Sequence, residues 1–192
     1  MKVKVALLGD SIRFGAGYIA GYGERVSDLL APDFEVFQPD ENCKYAKYTL
    51  RMLFDYREVM KDCSIVHFNV GHWDVCDLFG DGTFSTEEEY RDNVVRIARL
   101  LKSRHDAVIF ATTTPVRNEN IHNKNENIAR FNAIAVEALE KEGVIINDLN
   151  SLLIGDIDRY ICSDLIHLSV EGVDVCAEAV AAKIREVAAM LA

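Results

Sequence analysis

The stretch that decides the fold is Val-Lys-Val-Ala-Leu-Leu-Gly-Asp-Ser, residues 3–11. Its apolar run predicts a short buried β-strand that ends at Gly9. Asp10 and Ser11 follow at once and lead into a glycine-containing segment, which predicts a turn into a loop or a helix start. In α/β sheets, ligands bind beyond the carboxyl ends of the strands. The polar residues that end this run are therefore the first place to look for a site.

The rest of the chain alternates short apolar runs with amphipathic stretches. Four further strands are predicted: Phe34 to Phe37, Ser64 to Val70, Ala107 to Ala111 and Val144 to Ile146. Helices are predicted near residues 23–30, 44–61 and 124–142, after a Thr86–Glu89 capping box, and along a final apolar stripe that begins at Val173. Strands that alternate with helices indicate parallel βαβ units with right-handed crossovers.

This pattern predicts an α/β protein, a three-layer α/β/α sandwich around five parallel strands. No linker, repeat or low-complexity segment interrupts the 192 residues, so a single domain over 1–192 is expected. A chain of about this length buries roughly 70% of its extended surface and can form a complete core without disulfides or metals. The content of 49% hydrophobic and 27% charged residues is ordinary for a soluble globular protein.

Charge and cysteine content narrow the partners and the compartment. Twenty-one basic and 31 acidic residues give a net charge of −10, which argues against nucleic acid or an anionic membrane as the main partner. No stretch approaches the roughly 20 apolar residues of a membrane span, and the apolar run Val5 to Leu8 is too short for a signal-peptide core. The five cysteines form no CxxC pair, so reduced thiols in the cytoplasm are expected.

Chemistry-bearing residues follow several of the predicted strands. Ser11 follows the first, the segment 69–74 follows the third, 112–115 follows the fourth, and 164–169 precedes the last helix. A serine, a histidine and a carboxylate at one sheet edge are the parts of an acyl-transfer site. A serine hydroxyl needs a base, and an imidazole is suited to that role near neutral pH.

Ser11, His167 and Asp164 are therefore the candidate nucleophile, general base and orienting carboxylate. Each has a plainer alternative: Ser11 as a helix cap, and Asp164 and His167 as a capping carboxylate and a surface histidine. The candidate roles gain support because both segments fall at the same edge.

These residues resemble the motifs of the SGNH-type (GDSL-like) hydrolases. Gly9-Asp10-Ser11 is similar to that family's nucleophile block, and Asp164-Leu165-Ile166-His167-Leu168 to its Asp-x-x-His block. Thr114-Pro115-Val116, with Asn132 on a later helix, resembles the segment after the family's fourth strand. The resemblance spans Val3 to about Ile184. It implies a flavodoxin-like sheet with strand order 2-1-3-4-5, ester hydrolysis without a metal or other cofactor, and the same three catalytic roles.

Two motifs depart from the family pattern, and both concern the oxyanion hole. The third block usually reads Gly-x-Asn-Asp, whereas Trp73 stands here at the asparagine position. Asn69 is the candidate replacement, acting with the Ser11 backbone N–H; the alternative is an asparagine that ties two strand ends together. The second block lacks its usual glycine. Asn42 tolerates turn conformations almost as glycine does, so its backbone N–H is the candidate oxyanion donor there.

Further residues near the predicted edge have weaker claims. Asp10, His72 and Trp73 are candidate substrate contacts, Trp73 as a stacking surface for a sugar or as a loop anchor. Surface or packing roles compete with substrate contacts for a second group: Arg13, Arg117, His122, Cys43 and Cys76. The glycine run at 15–21 nearly matches a dinucleotide fingerprint but has one residue too many and does not open directly off the strand.

The sequence therefore predicts a serine esterase that removes a small acyl group, most plausibly acetyl, from a carbohydrate. The partner expected is a small-molecule ester. Two alternatives remain: a thioesterase or lysophospholipase with the same triad, and a non-catalytic binding protein on a decayed hydrolase scaffold.

Overall fold

The computed structural model describes residues 2–192, and its centre is a five-stranded parallel sheet. The strands are β1 (Val3–Gly9), β2 (Phe34–Phe37), β3 (Ile65–Asn69), β4 (Ala107–Ala111) and β5 (Ile145–Asn147). They lie in the order β2-β1-β3-β4-β5, and every neighbouring pair is parallel. The predicted 2-1-3-4-5 order is confirmed. The order reverses beside β1, so the end of β1 is the switch point where such sheets bind ligands.

Helices cover both faces of the sheet, as the three-layer prediction requires. The helices are α1 (Ser11–Phe14), α2 (Tyr22–Leu30), α3 (Ala46–Asp55), α4 (Arg57–Met60), α5 (Glu87–Lys102), α6 (Asn125–Lys141), α7 (Leu149–Leu153), α8 (Ile157–Tyr160) and α9 (Val170–Leu191). Helices α3, α5 and α6 pack on one face, and α2, α7 and α9 pack on the other.

Strand β1 shows why the sheet must be covered twice. Ala6 and Leu8 point into the layer of α3, α5 and α6, whereas Val5 and Leu7 point into the layer of α2 and α9. All four side chains are buried. Successive side chains of a strand alternate between faces, so a continuous apolar run places apolar atoms on both. Burial of each valine and leucine side chain stabilises the fold by about 1.5–3 kcal/mol.

The structure differs from the sequence prediction in the short elements. The helix expected over 44–61 is interrupted at Tyr56, which leaves α3 and α4 as separate helices. A small antiparallel hairpin pairs Gly15–Ala16 with Ile19–Ala20. The two hairpin strands and the helices α1, α4, α7 and α8 are too short to show a hydrophobic period. The Thr86–Glu89 capping box is confirmed by both of its reciprocal hydrogen bonds. Among residues 2–192, no helix has the length and apolar character to cross a bilayer.

Candidate active site

Ser11 lies at the carboxyl end of β1 as the first residue of α1. Asp10 caps this helix, and its Oδ1 accepts the Ile12 N–H at 3.0 Å. The first N–H groups of a helix have no helical acceptor and remain able to bind an anion. The N–H groups of Ile12, Arg13 and Phe14 all donate to Asp10. The turn from strand to helix therefore presents the Ser11 hydroxyl and the Ser11 N–H beyond the sheet edge.

A closed loop carries Asp164 and His167 to the same edge. An isolated antiparallel bridge pairs Ile161 with Leu168, and the Cys162 N–H donates to the His167 carbonyl at 2.8 Å. Leu165, at the tip, has a φ of 75°, a left-handed conformation that is strained for a branched side chain. The tip is held from outside the loop, because the Arg117 N–H donates to the Leu165 carbonyl at 3.0 Å.

The three predicted catalytic side chains form one hydrogen-bonded chain. His167 Nε2 lies 2.8 Å from Ser11 Oγ, and His167 Nδ1 lies 2.6 Å from Asp164 Oδ2. These residues are 156 and three positions apart in the sequence. A nucleophile within hydrogen-bond reach of a base that a third group orients is the geometry of a nucleophilic triad.

Asp164 is held in its charged form. Partial burial opposes this, but hydrogen bonds to the carboxylate outweigh it and hold the pKa of Asp164 well below its usual range. Oδ1 accepts from the Cys162 thiol at 2.9 Å and from the backbone N–H groups of Ile166 and His167 at 3.1 and 2.9 Å. The carboxylate is thus fixed in position and available to stabilise a protonated imidazole.

Asn69 lies behind Ser11, within the layer of the strand ends. Its Nδ2 donates to Asp10 Oδ1 at 2.7 Å, and its Oδ1 accepts from the Tyr22 hydroxyl at 2.6 Å. It is buried and does not line the cavity that opens onto Ser11. These contacts correspond to the alternative role, in which Asn69 ties two strand ends together, and they do not support its predicted role as an oxyanion donor.

Asp10 belongs to the same buried network and not to the cavity wall. Complete burial raises its pKa to about 6, although hydrogen bonds from Ile12 and Asn69 oppose the rise. The structure therefore places Asp10 beneath the nucleophile as a helix cap, away from the substrate position predicted for it.

Asn42 reaches the site from the loop after β2 and lines the cavity with Ser11. Its Oδ1 accepts the Lys44 N–H at 2.7 Å, which makes an Asx turn. The left-handed residue of this loop is Lys44, with a φ of 53°, and not Asn42. The guanidinium of Arg13 holds the loop, donating to the carbonyls of Pro39 and Glu41 at 3.0 and 2.8 Å. Arg13 is buried, and these contacts correspond to the packing role that the sequence left open for it.

His72 is a cavity-lining residue with one ring nitrogen in use. Its Nε2 lies 2.9 Å from Thr114 Oγ1, whereas the buried Nδ1 has no hydrogen-bond partner in residues 2–192. Burial lowers the pKa of His72 to about 3, so the ring is neutral near pH 7. The Asn123 side chain holds the backbone, donating to the His72 carbonyl at 2.8 Å.

The cavity has a volume of about 400 Å³. Trp73, His122 and Cys76 line it as well, and the Trp73 side chain is 42% exposed. Sequence reasoning missed Asn120, Asn123 and Ile166 in its wall. The signal was present, because residues 118–127 contain five asparagines. That composition was not assigned to the site.

Other sequence candidates have structural roles. The Arg117 guanidinium donates to the Ile161 and Asp158 carbonyls at 2.9 and 2.8 Å, and so helps to hold the loop that carries Asp164 and His167. Cys43 is buried, and its Sγ accepts the Gly9 N–H at 3.1 Å. Asn132 pairs with the backbone of Thr113 through two hydrogen bonds of 2.8 and 2.9 Å. Within residues 2–192, no three His, Cys, Asp or Glu side chains cluster as metal ligands would.

Comparison with known proteins agrees with this fold. No protein-family model matches the sequence, and no curated protein matches it. The chain is similar to the solved structure of a lipase/acylhydrolase from Enterococcus faecalis, with a TM-score of 0.80 and 17% identity over 97% of this chain and 96% of the other.

Two further structures show the same likeness. An acetyl xylan esterase superposes with a TM-score of 0.78 and 17% identity over 95% of this chain and all of the other. A GDSL-like lipase from Bacteroides thetaiotaomicron does so with a TM-score of 0.73 and 18% identity over 96% and 88%. The resemblance predicted from the sequence motifs is thereby confirmed in the fold: the chain has the architecture of GDSL-like hydrolases.

Proposed function

We propose that this protein is a serine esterase that removes small acyl groups, acetyl in particular, from a carbohydrate. The single observation that carries the proposal is the chain of hydrogen bonds from Ser11 through His167 to Asp164, with separations of 2.8 and 2.6 Å. The similar structures include an acetyl xylan esterase and a lipase/acylhydrolase, which support ester chemistry.

In the proposed mechanism, Ser11 Oγ attacks the ester carbonyl while His167 Nε2 takes its proton. Asp164 stabilises the imidazolium, and His167 then protonates the departing alcohol. Water, deprotonated by His167, attacks the acyl-enzyme, and the acid leaves as Ser11 is re-protonated. The products are one alcohol and one acid, and no other reactant is consumed.

The oxyanion donors in this proposal are the backbone N–H groups of Ser11 and Asn42. Asn42 lines the same cavity as Ser11. His72 is a substrate contact in this proposal because it lines the same cavity as Ser11 and Asn42.

The cavity wall offers hydrogen-bonding groups to a small polar ester, beside apolar side chains such as Trp73, Leu78 and Ile166. Three asparagines, Asn42, Asn120 and Asn123, share its wall with two histidines besides His167. A lysophospholipase or long-chain thioesterase needs an extended apolar channel for its chain.

A cytoplasmic location is also part of the proposal, supported by the five cysteines, none of which forms a disulfide in the described structure.

The decisive experiment is a substrate panel of acetylated sugars and p-nitrophenyl esters of increasing chain length, measured with wild type and Ser11→Ala. We expect the highest kcat/KM on acetyl esters and loss of turnover in Ser11→Ala. Fluorophosphonate labelling of Ser11 reports activation of the serine independently of the substrate chosen. Undiminished turnover by Ser11→Ala, or no labelling of Ser11, would overturn the proposal; absence of labelling would favour a non-catalytic binding protein.

A further inference from the structure

A second cavity lies far from the triad in the fold, at the amino-terminal edge of the sheet. It has a volume of about 220 Å³ and opens between α3, α4 and the end of α5. Apolar side chains supply most of its wall: Leu50, Leu53, Phe54, Met60, Leu100 and Leu101. We refer to it as the basal groove. None of its lining residues belongs to the catalytic cavity.

All charged side chains that line the basal groove are basic. Arg57, Arg96 and Arg104 stand around the apolar wall together with His105, and no acidic residue lines it. This is unexpected in a chain with 31 acidic and 21 basic residues. A local concentration of positive charge on an acidic protein raises the local concentration of anions.

Arg96 and Arg104 differ from every other arginine of the chain. Within residues 2–192, the other ten of the twelve arginine side chains make a hydrogen bond or an ion pair. Arg96 and Arg104 make neither in the described structure, and both line the basal groove. Guanidinium groups are suited to carboxylate and phosphate, which they bind in two-point contacts.

Phe54 adds a surface on which an apolar chain can rest. Phe54 is 60% exposed, and the guanidinium groups of Arg57 and Arg51 lie over its ring at 4.3 and 5.2 Å from the centroid. Leu100 is also exposed at the mouth. An occupied groove would cover this apolar surface, at a gain of about 25 cal/mol per Å² removed from water.

We propose that the basal groove binds a free amphipathic anion, with a short apolar tail on the leucines and Phe54 and a carboxylate or phosphate head on Arg96 and Arg104. The groove is smaller than the roughly 300–1,000 Å³ typical of drug-sized ligand sites, so it suits a single short chain and not a two-chain lipid. This site is additional to the proposed esterase site and does not depend on it.

Titration calorimetry with octanoate and octyl phosphate tests the proposal, with neutral octyl glucoside as the tail-only probe. The decisive variant is Arg96→Gln/Arg104→Gln. Its matched control is Arg91→Gln/Arg99→Gln, which removes the same charge from ion-paired positions on α5. We expect saturable 1:1 binding of at least one anionic probe, weakened about five- to tenfold by the first variant and less than about twofold by the control.

A second variant guards against binding in the catalytic cavity. Leu100→Glu puts a negative charge at the mouth of the basal groove on a side chain that is already exposed, and we expect it to weaken octanoate binding without changing p-nitrophenyl acetate turnover. Affinity unchanged in both variants, equal affinity for octyl glucoside, or binding only to anionic phospholipid vesicles would each overturn the proposal. Loss of esterase activity in Ser11→Ala would leave it unaffected.

Discussion

The thiol of Cys162 donates a hydrogen bond to Oδ1 of Asp164 at 2.9 Å, two residues before the carboxylate that orients the candidate base. A thiol is a weak donor, and the same oxygen also accepts two backbone N–H groups. Cys162 is only partly buried, whereas the other four cysteines are buried. One partly buried thiol therefore donates a hydrogen bond to the carboxylate of the candidate triad.

We predict that Cys162→Ala lowers kcat by less than about tenfold, because the weak donor is lost while the backbone donors remain. Cys162→Ser should restore most of the loss, since a hydroxyl donates more strongly than a thiol. Steady-state kinetics on p-nitrophenyl acetate checks both variants. A larger loss in Cys162→Ser than in Cys162→Ala would contradict this account of the hydrogen bond.

Modification of the same thiol should inactivate the enzyme. Methyl methanethiosulfonate adds a methylthio group to sulfur, which removes the S–H donor and pushes against Asp164. We predict a progressive loss of esterase activity that reducing agent reverses. Cys162→Ser should resist the reagent, because the remaining cysteines are buried. Cys76 is buried but lines the cavity with Ser11, so Cys76→Ser is the control and should stay sensitive. Equal inactivation of Cys162→Ser would place the sensitive thiol elsewhere.

Asn69 offers a test that separates anchoring from oxyanion binding. Its carbonyl oxygen accepts from Tyr22 and its amide donates to Asp10. Asn69→Ala therefore leaves the buried Tyr22 hydroxyl unpaired, and Asp10 Oδ1 keeps only the Ile12 N–H. We predict a loss of unfolding free energy of about 1–3 kcal/mol, with part of that loss reproduced by Tyr22→Phe. Denaturant titration measures both variants.

The kinetic result decides between the two roles. Removal of an oxyanion donor costs about 10²–10³ in kcat, whereas loss of an anchor should cost less than about tenfold. A fall in kcat of a hundredfold or more in a stably folded Asn69→Ala, with kcat intact in Tyr22→Phe, would restore the oxyanion role that the sequence suggested for Asn69.

The placement of Ser11, Asp164 and His167 at one sheet edge could be predicted from the sequence, because their two motifs, each short and weak alone, are specific in their order and spacing. Ser11 ends a buried apolar run, and Asp164 and His167 share one short turn before a long helix, so topology alone brings them to one edge. The direction in which a side chain points is a different matter. Asn69 and His72 are three residues apart, yet one faces the buried network and the other the cavity. Local twist and packing decide in which direction each side chain points, and no periodic pattern in the sequence reveals that direction.

The same limit explains the arginines and the asparagine-rich loop. Arg13 and Arg117 carry charges that could bind an anionic substrate, but both donate to backbone carbonyls of neighbouring loops. Asn120 and Asn123 reach the cavity only because the loop after β4 folds back over it. Such contacts cannot be predicted from the sequence, because these loops have no hydrophobic period.

Trp73 supplies a prediction on substrate preference. Its ring lines the catalytic cavity and is 42% exposed, so it can cover the apolar face of a sugar. We predict that Trp73→Ala raises KM for an acetylated sugar by about five- to tenfold, while kcat/KM for ethyl acetate, which has no ring to stack, changes by less than about twofold. Trp73→Phe should lie between the two. An equal loss on both esters would indicate that Trp73 anchors its loop.

Asp74 supplies a prediction on the pH dependence of stability. Its carboxyl is buried between the Ser85 hydroxyl and the Ala46 N–H, at 2.7 and 3.0 Å. Burial raises its pKa from the ordinary 3.8 to about 7, and hydrogen bonds from Ser85 and Ala46 oppose the rise. Between about pH 4 and pH 7 the folded state therefore retains a proton that the unfolded chain has released. By linkage, this group's contribution to stability falls as pH rises through that window.

Asp74→Asn should remove this dependence. Its amide oxygen can still accept the Ala46 N–H, and its Nδ2 can donate to the Ser85 hydroxyl in place of the hydrogen bond that Ser85 donates to the carboxyl group. We predict that its unfolding free energy, relative to wild type, rises by about 2–4 kcal/mol between pH 4 and pH 8. The difference between the two proteins isolates Asp74 from buried His67 and His72, whose pKa values of about 3 give the opposite slope. Denaturant titrations at several pH values measure it, with exposed Asp81→Asn as the control. A difference that stays constant across this range would show that Asp74 ionises alike in the folded and unfolded chains.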